Sequence, residues 1–137
     1  NALKENRTLE IIDLGGNEFR SEGFKALADA LTENSTLREL HLFFCCSDEG
    51  GKALADALTT NSTLKTLVLE DSGIGVEGGK ALAAALAKNT SLEVLTWECR
   101  WLKYQIGEEN AKVIDFFLRL NKRGRNVVRS TTPIPTP

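Results

Sequence analysis

Leu9-Glu10-Ile11-Ile12-Asp13-Leu14-Gly15-Gly16-Asn17-Glu18-Phe19 reads as L-x-x-L-x-L-x-x-N-x-φ, where φ is apolar. The spacing of Leu9, Ile12 and Leu14 predicts a short strand that then turns, with those three side chains pointing into a core. Asn17 stands where a buried side-chain amide can bond the backbone of a chain bending away from the strand. Phe24, Ala26, Leu27, Ala30 and Leu31 follow at helical spacing. One unit is therefore strand, turn, helix and return. The same leucine recurs at Leu37, Leu64 and Leu92, after 28, 27 and 28 residues. A fixed period of this length is the signature of a solenoid built from stacked identical units.

Working outward, the units beginning at Leu37 and Leu64 repeat the pattern. Cys45 and Ser72 stand at the asparagine position, and a serine hydroxyl can make part of the same bonding. Ser21 and Asp48 are read as helix N-caps. The fourth unit, from Leu92, keeps the strand, with Trp97 in the third core position and Arg100 at the asparagine position. It then carries a four-residue insertion around Arg100–Ile106 and ends in a helix with bulkier Ile114, Phe117 and Leu118. Such residues suit a terminal helix that covers the open end of a stack. At the other end, Leu3 and Asn6 align with Leu31 and Asn34, so residues 1–8 read as the tail of a partial unit. Leu3, Leu9, Leu14, Leu27 and Leu31 are then expected to line a sticky face that a preceding unit, or another surface, would bury. The organisation expected is one repeat domain over 1–121 and a basic, then Pro-rich, tail over 122–137.

The 137 residues allow one domain, and 42% hydrophobic content can build its core. A net charge of −2 draws the whole chain neither to nucleic acid nor to anionic membrane. The five bases after Asp115 (Arg119, Lys122, Arg123, Arg125 and Arg129) make a basic run that reads as a solvated tail. No apolar run is long enough to span a membrane, and no signal peptide opens the sequence. Cys45, Cys46 and Cys99 lack framework spacing, and strands two apart lie beyond disulfide reach, so reduced thiols and an intracellular setting are expected.

The strand signature, the helix pattern G-x-K-A-L-A-x-A-L and the linker Asn-x-Thr-Leu together resemble the ribonuclease-inhibitor-like leucine-rich repeat class. The repeats of nucleotide-binding leucine-rich-repeat receptors are similar, as is the C-terminal domain of tropomodulin with its irregular last unit. The resemblance covers residues 3–121. It implies an α/β, right-handed leucine-rich repeat solenoid, a horseshoe segment with four parallel strands on the concave face and helices on the convex face. Right-handed strand–helix–strand crossovers are the general rule for such parallel sheets. Members of this class bind proteins on their solenoid surfaces.

Other motifs have plainer readings. Asn-x-Ser/Thr at Asn6, Asn34, Asn61 and Asn89 matches glycosylation sequons, yet each falls between helix and strand, where asparagine tolerates the left-handed conformation that ends a helix. Gly73-Ile-Gly-Val-Glu-Gly-Gly-Lys80 lacks the Ser or Thr of a phosphate loop. Alternation sends His41 and Cys45 to opposite faces, which argues against a zinc site, and His41 with Asp13 is at most a surface pair without a linked nucleophile. No cofactor, metal or catalytic residue is expected.

The third, fifth, seventh and eighth positions of each unit project to the concave side. They are Ile11, Asp13, Gly15 and Gly16, then Glu39, His41, Phe43 and Phe44. Thr66, Val68, Glu70 and Asp71 follow, then Val94, Thr96, Glu98 and Cys99. Adjacent aromatics and a set of acids mark a protein-binding site comprising Asp13, His41, Phe43, Phe44, Glu70, Asp71 and Glu98, with Trp101 of the insertion as its wall. The function expected is a non-catalytic protein–protein interaction module for a basic protein partner. The alternative is a structural or capping subunit that docks, or self-associates, through its open N-terminal end.

Overall fold

The computed structural model describes residues 2–43, 47–97 and 106–124. Five helices, α1 (Ala2–Glu5), α2 (Ser21–Glu33), α3 (Asp48–Leu58), α4 (Val76–Lys88) and α5 (Glu108–Arg123), alternate with four strands. The strands β1 (Ile11–Asp13), β2 (Glu39–His41), β3 (Thr66–Val68) and β4 (Val94–Thr96) form one sheet in the order β1-β2-β3-β4, every pair parallel. Each strand is three residues long, and its middle side chain points inward. Leu40, Leu67 and Leu95 are buried, while their neighbours are part-exposed on the other face. The helices pack in sequence order against one another and against the buried face of the sheet.

Equivalent leucines form continuous layers through the core. Leu37, Leu64 and Leu92 make one, Leu42 and Leu69 a second, and Leu31, Leu58 and Leu86 a third, all fully buried or nearly so. Glycine sets the closest helix spacing. A Cβ on Gly51 would lie 3.2 Å from the Gly78 Cα and 3.3 Å from Ile74 Cγ2, so α3 and α4 approach to backbone contact there. Gly78 has no room either, with Ile74 and Asp48 both 2.8 Å from its would-be Cβ.

The linker asparagines act differently from the sequence expectation. Asn34 and Asn89 are extended, at φ −77°, ψ 130° and φ −71°, ψ 131°, not left-handed. Each backbone N–H closes the last helical turn, on Ala30 O and Ala85 O, and the chain then leaves the helix directly. The side chains are committed elsewhere. Asn61 Nδ2 donates to Leu31 O at 2.8 Å and Asn34 O at 3.3 Å, and its Oδ1 accepts from Thr63 N at 3.0 Å and Leu64 N at 2.8 Å. Asn34 bonds Leu3 O, Asn6 O, Thr36 N and Leu37 N in the same way, and Asn89 bonds Leu58 O, Asn61 O, Ser91 N and Leu92 N. Asn121 Nδ2 departs slightly, reaching Asn89 O of the unit before and Leu92 O of its own. These asparagines form a ladder joining each unit to the one before, and at 3–5% exposure Asn34, Asn61 and Asn89 are closed to glycosylation in the folded chain.

Three further expectations are corrected. Ser21 is the first residue of α2 rather than its cap; Arg20 stands at the cap position without a side-chain bond. Ser47, not Asp48, caps α3 through Gly50 N, while Asp48 Oδ1 accepts from Gly75 N and Gly78 N, both at 2.8 Å, and so caps the next unit's helix α4. Asn17 is exposed and bonds Leu14 O of its own unit at 2.9 Å. Its counterpart Ser72 is buried and reaches back to Leu42 O at 3.0 Å, the partial bonding expected of a hydroxyl there.

Asn61→Ala removes the side chain's bonds to Leu31 O, Asn34 O, Thr63 N and Leu64 N, and a longer one to Thr63 Oγ1. It strands buried carbonyls and amides, and should cost roughly 3–5 kcal/mol in chemical denaturation. Asn6→Ala, whose Oδ1 serves only Thr8 N and Leu9 N at an exposed end, should cost about 1 kcal/mol or less. Equal losses at the two positions would show that the ladder is not what joins the units.

Candidate functional site on the open sheet face

Parallel register brings the outward-facing residues of four units into two rows. Ile11, Glu39, Thr66 and Val94 form one row, and Asp13, His41, Val68 and Thr96 the other. Neighbours in a row stand about 4.8 Å apart at the backbone, so side chains from three or four units can touch one ligand together. At the end of the second row lies Phe43. Gly16 N donates to Phe43 O at 2.8 Å, which extends pairing past the strands and seats Phe43 over the first turn. Gly15 makes this possible, since any Cβ there would overlap the Phe43 ring. The ring, half-buried, meets His41 edge-on with centroids 5.7 Å apart at 82°.

The expected His41–Asp13 pair does not form, although the two residues are opposite in register. Asp13 Oδ1 accepts from Gly15 N at 2.8 Å and holds the turn that carries Phe43. His41 Nε2 instead faces the Glu39 carboxylate at 3.5 Å, an ion pair only when the imidazole is protonated, and it has no hydrogen-bond partner among the described residues. Glu39 is a member of the face that the site prediction omitted, although its third-position spacing marked it as outward. Glu70 is exposed on the turn after β3, beside half-buried Asp71, whose φ of 52° is the one positive value among described non-glycine residues. Glu70 also borders a shallow cavity of about 280 Å³ with Leu95, Thr96 and half-buried Trp97. Phe44, Glu98 and Trp101, like Cys45, Cys46 and Cys99, the insertion up to Gln105 and the tail from Arg125, lie outside the described residues.

Asp13, His41, Phe43 and Glu39 thus come together at the first two strands, and Glu70 and Asp71 stand on the third unit's turn. Acids outnumber bases on this face, where His41, the single histidine of the chain, is the only candidate cation among the positions just named. Among the described residues no group of three or more His, Cys, Asp or Glu side chains is placed to hold a metal ion, and no helix is long and apolar enough to cross a membrane.

A solenoid of strand–helix units whose sheet face is lined with side chains is the leucine-rich repeat class. The Leucine Rich repeat family model matches residues 5–28, 33–55 and 60–83, more than half of the chain, which belongs to that family. A solved structure titled leiomodin-1 actin-binding site 2 superposes with a TM-score of 0.73 at 17% identity, covering 90% of this chain and 87% of that one. The tropomodulin C-terminal domain of Caenorhabditis elegans does so with a TM-score of 0.53 at 14% identity, covering 93% of each chain. Both likenesses concern the fold, which is of the ribonuclease-inhibitor-like repeat type. No match emerged among curated proteins.

Gly15→Ala should push the Phe43 ring off its seat. Because the chain has one histidine, the imidazole proton resonances report the change cleanly by NMR. They should shift markedly as the edge-on ring moves, with the melting temperature little changed; unchanged imidazole resonances would mean that the ring does not rest on Gly15.

Proposed function

We propose that this chain is a non-catalytic protein-interaction module that binds a protein partner on the open, concave face of its sheet. The observation that supports this most is Phe43. An aromatic ring is held partly in solvent on a glycine turn that Asp13 braces, edge-on to His41, with the acids Glu39 and Glu70 on the same open face. Aromatic anchors rimmed by charge are the usual composition of a binding hot spot. The acids favour a basic partner surface through electrostatic complementarity. Phe44, Glu98 and Trp101 extend the same site in this reading, and Asp71 stands with Glu70 at its rim. A leiomodin-1 segment of the same shape is by its title an actin-binding site, so this architecture serves protein recognition in at least that case. At 17% identity the shape carries over and the partner's identity does not.

Phe43→Ala with Phe44→Ala should weaken binding to a partner recovered by affinity capture by about 100-fold, the loss of two hot-spot contacts. Glu70→Lys with Asp71→Lys should lower the association rate and flatten its salt dependence, with little effect on dissociation. Surface plasmon resonance at two ionic strengths separates the two effects, and circular dichroism confirms folding. Normal binding by both double variants would exclude the open sheet face.

A further inference from the structure

The N-terminal end of the stack exposes the chemistry that every internal junction buries. Leu9 is 37% exposed, while its counterparts Leu37, Leu64 and Leu92 are fully buried. Ile12 and Leu14 are only half-buried, where the sequence placed them in the core, and Leu31, expected on the open face, is covered. Leu3, Leu9, Ile12, Leu14, Phe19 and Leu27 instead line an apolar trough of about 510 Å³. Ile11, at 56%, and Leu9 are two of the three strongly exposed large hydrophobic residues described. The outer edge of β1 has no strand partner among the described residues. Asn6 completes the pattern. Its Oδ1 accepts from Thr8 N and Leu9 N as the other rungs do, yet its Nδ2 meets no acceptor among the described residues, where Asn34, Asn61 and Asn89 each reach two carbonyls of the unit before.

We propose that this face is a repeat-to-repeat interface whose occupant is one further leucine-rich repeat unit, continuous with α1 and with its strand parallel to β1. The same junction occurs three times inside the structure, which defines what fits: a strand edge, two backbone carbonyls for the Asn6 amide, and an apolar helix side over Leu9 and Leu14. α1 is already the last helical turn of such a unit. It packs on α2, clamped by Lys4 Nζ to Glu33 Oε1 at 2.7 Å, with Leu3 and Asn6 one period before Leu31 and Asn34. A second copy fits less well. A head-to-tail copy offers the open edge of β4, but its α5 runs on through Asn121 to Arg123 and the Asn121 carbonyl already accepts from Gly124 N, so the carbonyl pair that Asn6 needs is not presented; head-to-head pairing sets Asn6 donors toward each other.

A copy of residues 62–83 fused directly before Asn1 keeps the period, because residue 84 is the equivalent of residue 1. The fusion should melt about 5 °C or more above the original chain, since each added unit contributes its interface. The backbone amides of Ile11 and Asp13 should become at least 100-fold slower to exchange with deuterium as the β1 edge is paired. Leu9→Glu should then lower the melting temperature of the fusion far more than that of the original chain, where Leu9 is part-exposed. A fusion that fails to fold or melts no higher, Leu9→Glu effects equal in the two backgrounds, or a sedimentation-detected dimer of the original chain that already protects the Ile11 amide would each overturn the proposal. None of these outcomes bears on the open sheet face.

Discussion

A side-chain amide that bonds backbone of two units at once is the constraint on which this structure depends. Each internal linker asparagine closes its own turn with Oδ1 and takes the carbonyls of the preceding unit with Nδ2. The groups involved are buried, so their hydrogen bonds are strong in effect: losing one partner leaves a desolvated polar group at about 1–3 kcal/mol. The linker cannot change length without breaking contact with the rung before it. The near-constant period, the parallel register and the straight rows of outward side chains all follow from that.

Other contacts between units reinforce the ladder on either side of it. Asp48 caps the helix of the next unit, Ser72 bonds the carbonyl of the previous one, and Gly51 against Gly78 lets the helices approach to backbone distance. Together these fix the spacing of the sheet face, and the open face inherits it. Phe43 is presented to solvent not by its own strand alone but by Gly15 and Gly16 of the neighbouring unit. A rigid frame with an aromatic supported across units needs little ordering on binding, which favours affinity.

The repeat class, the four strands and the helices were all legible from leucine spacing, because burial in a solenoid recurs at the same position in every unit. The exposure of Leu9 and the half-burial of Leu14 were legible for the same reason, while Leu27 and Leu31, expected on the same open face, are buried. The ladder was not legible. Its acceptors are main-chain carbonyls about one period away in sequence, such as Leu31 O and Asn34 O for Asn61, and a carbonyl has no residue type by which to announce itself. The same holds for Asp48, read as a cap on its own helix when its acceptor geometry serves Gly75 and Gly78 of the next. At the candidate site, alternation puts Asp13, His41 and Phe43 on one face, while the approach of His41 to Glu39 rather than Asp13 depends on rotamers that spacing does not encode.

Native-state hydrogen exchange on the amides of Leu37, Leu64 and Leu92 tests the ladder most directly. Each donates to an asparagine Oδ1, at 2.7, 2.8 and 2.8 Å. If the rungs join the units into one cooperative body, all three should exchange only through global unfolding, with the same dependence on denaturant, while the Leu9 amide on Asn6 exchanges faster. Exchange of Leu64 or Leu92 at the rate of an exposed loop, or three independent opening energies, would contradict it.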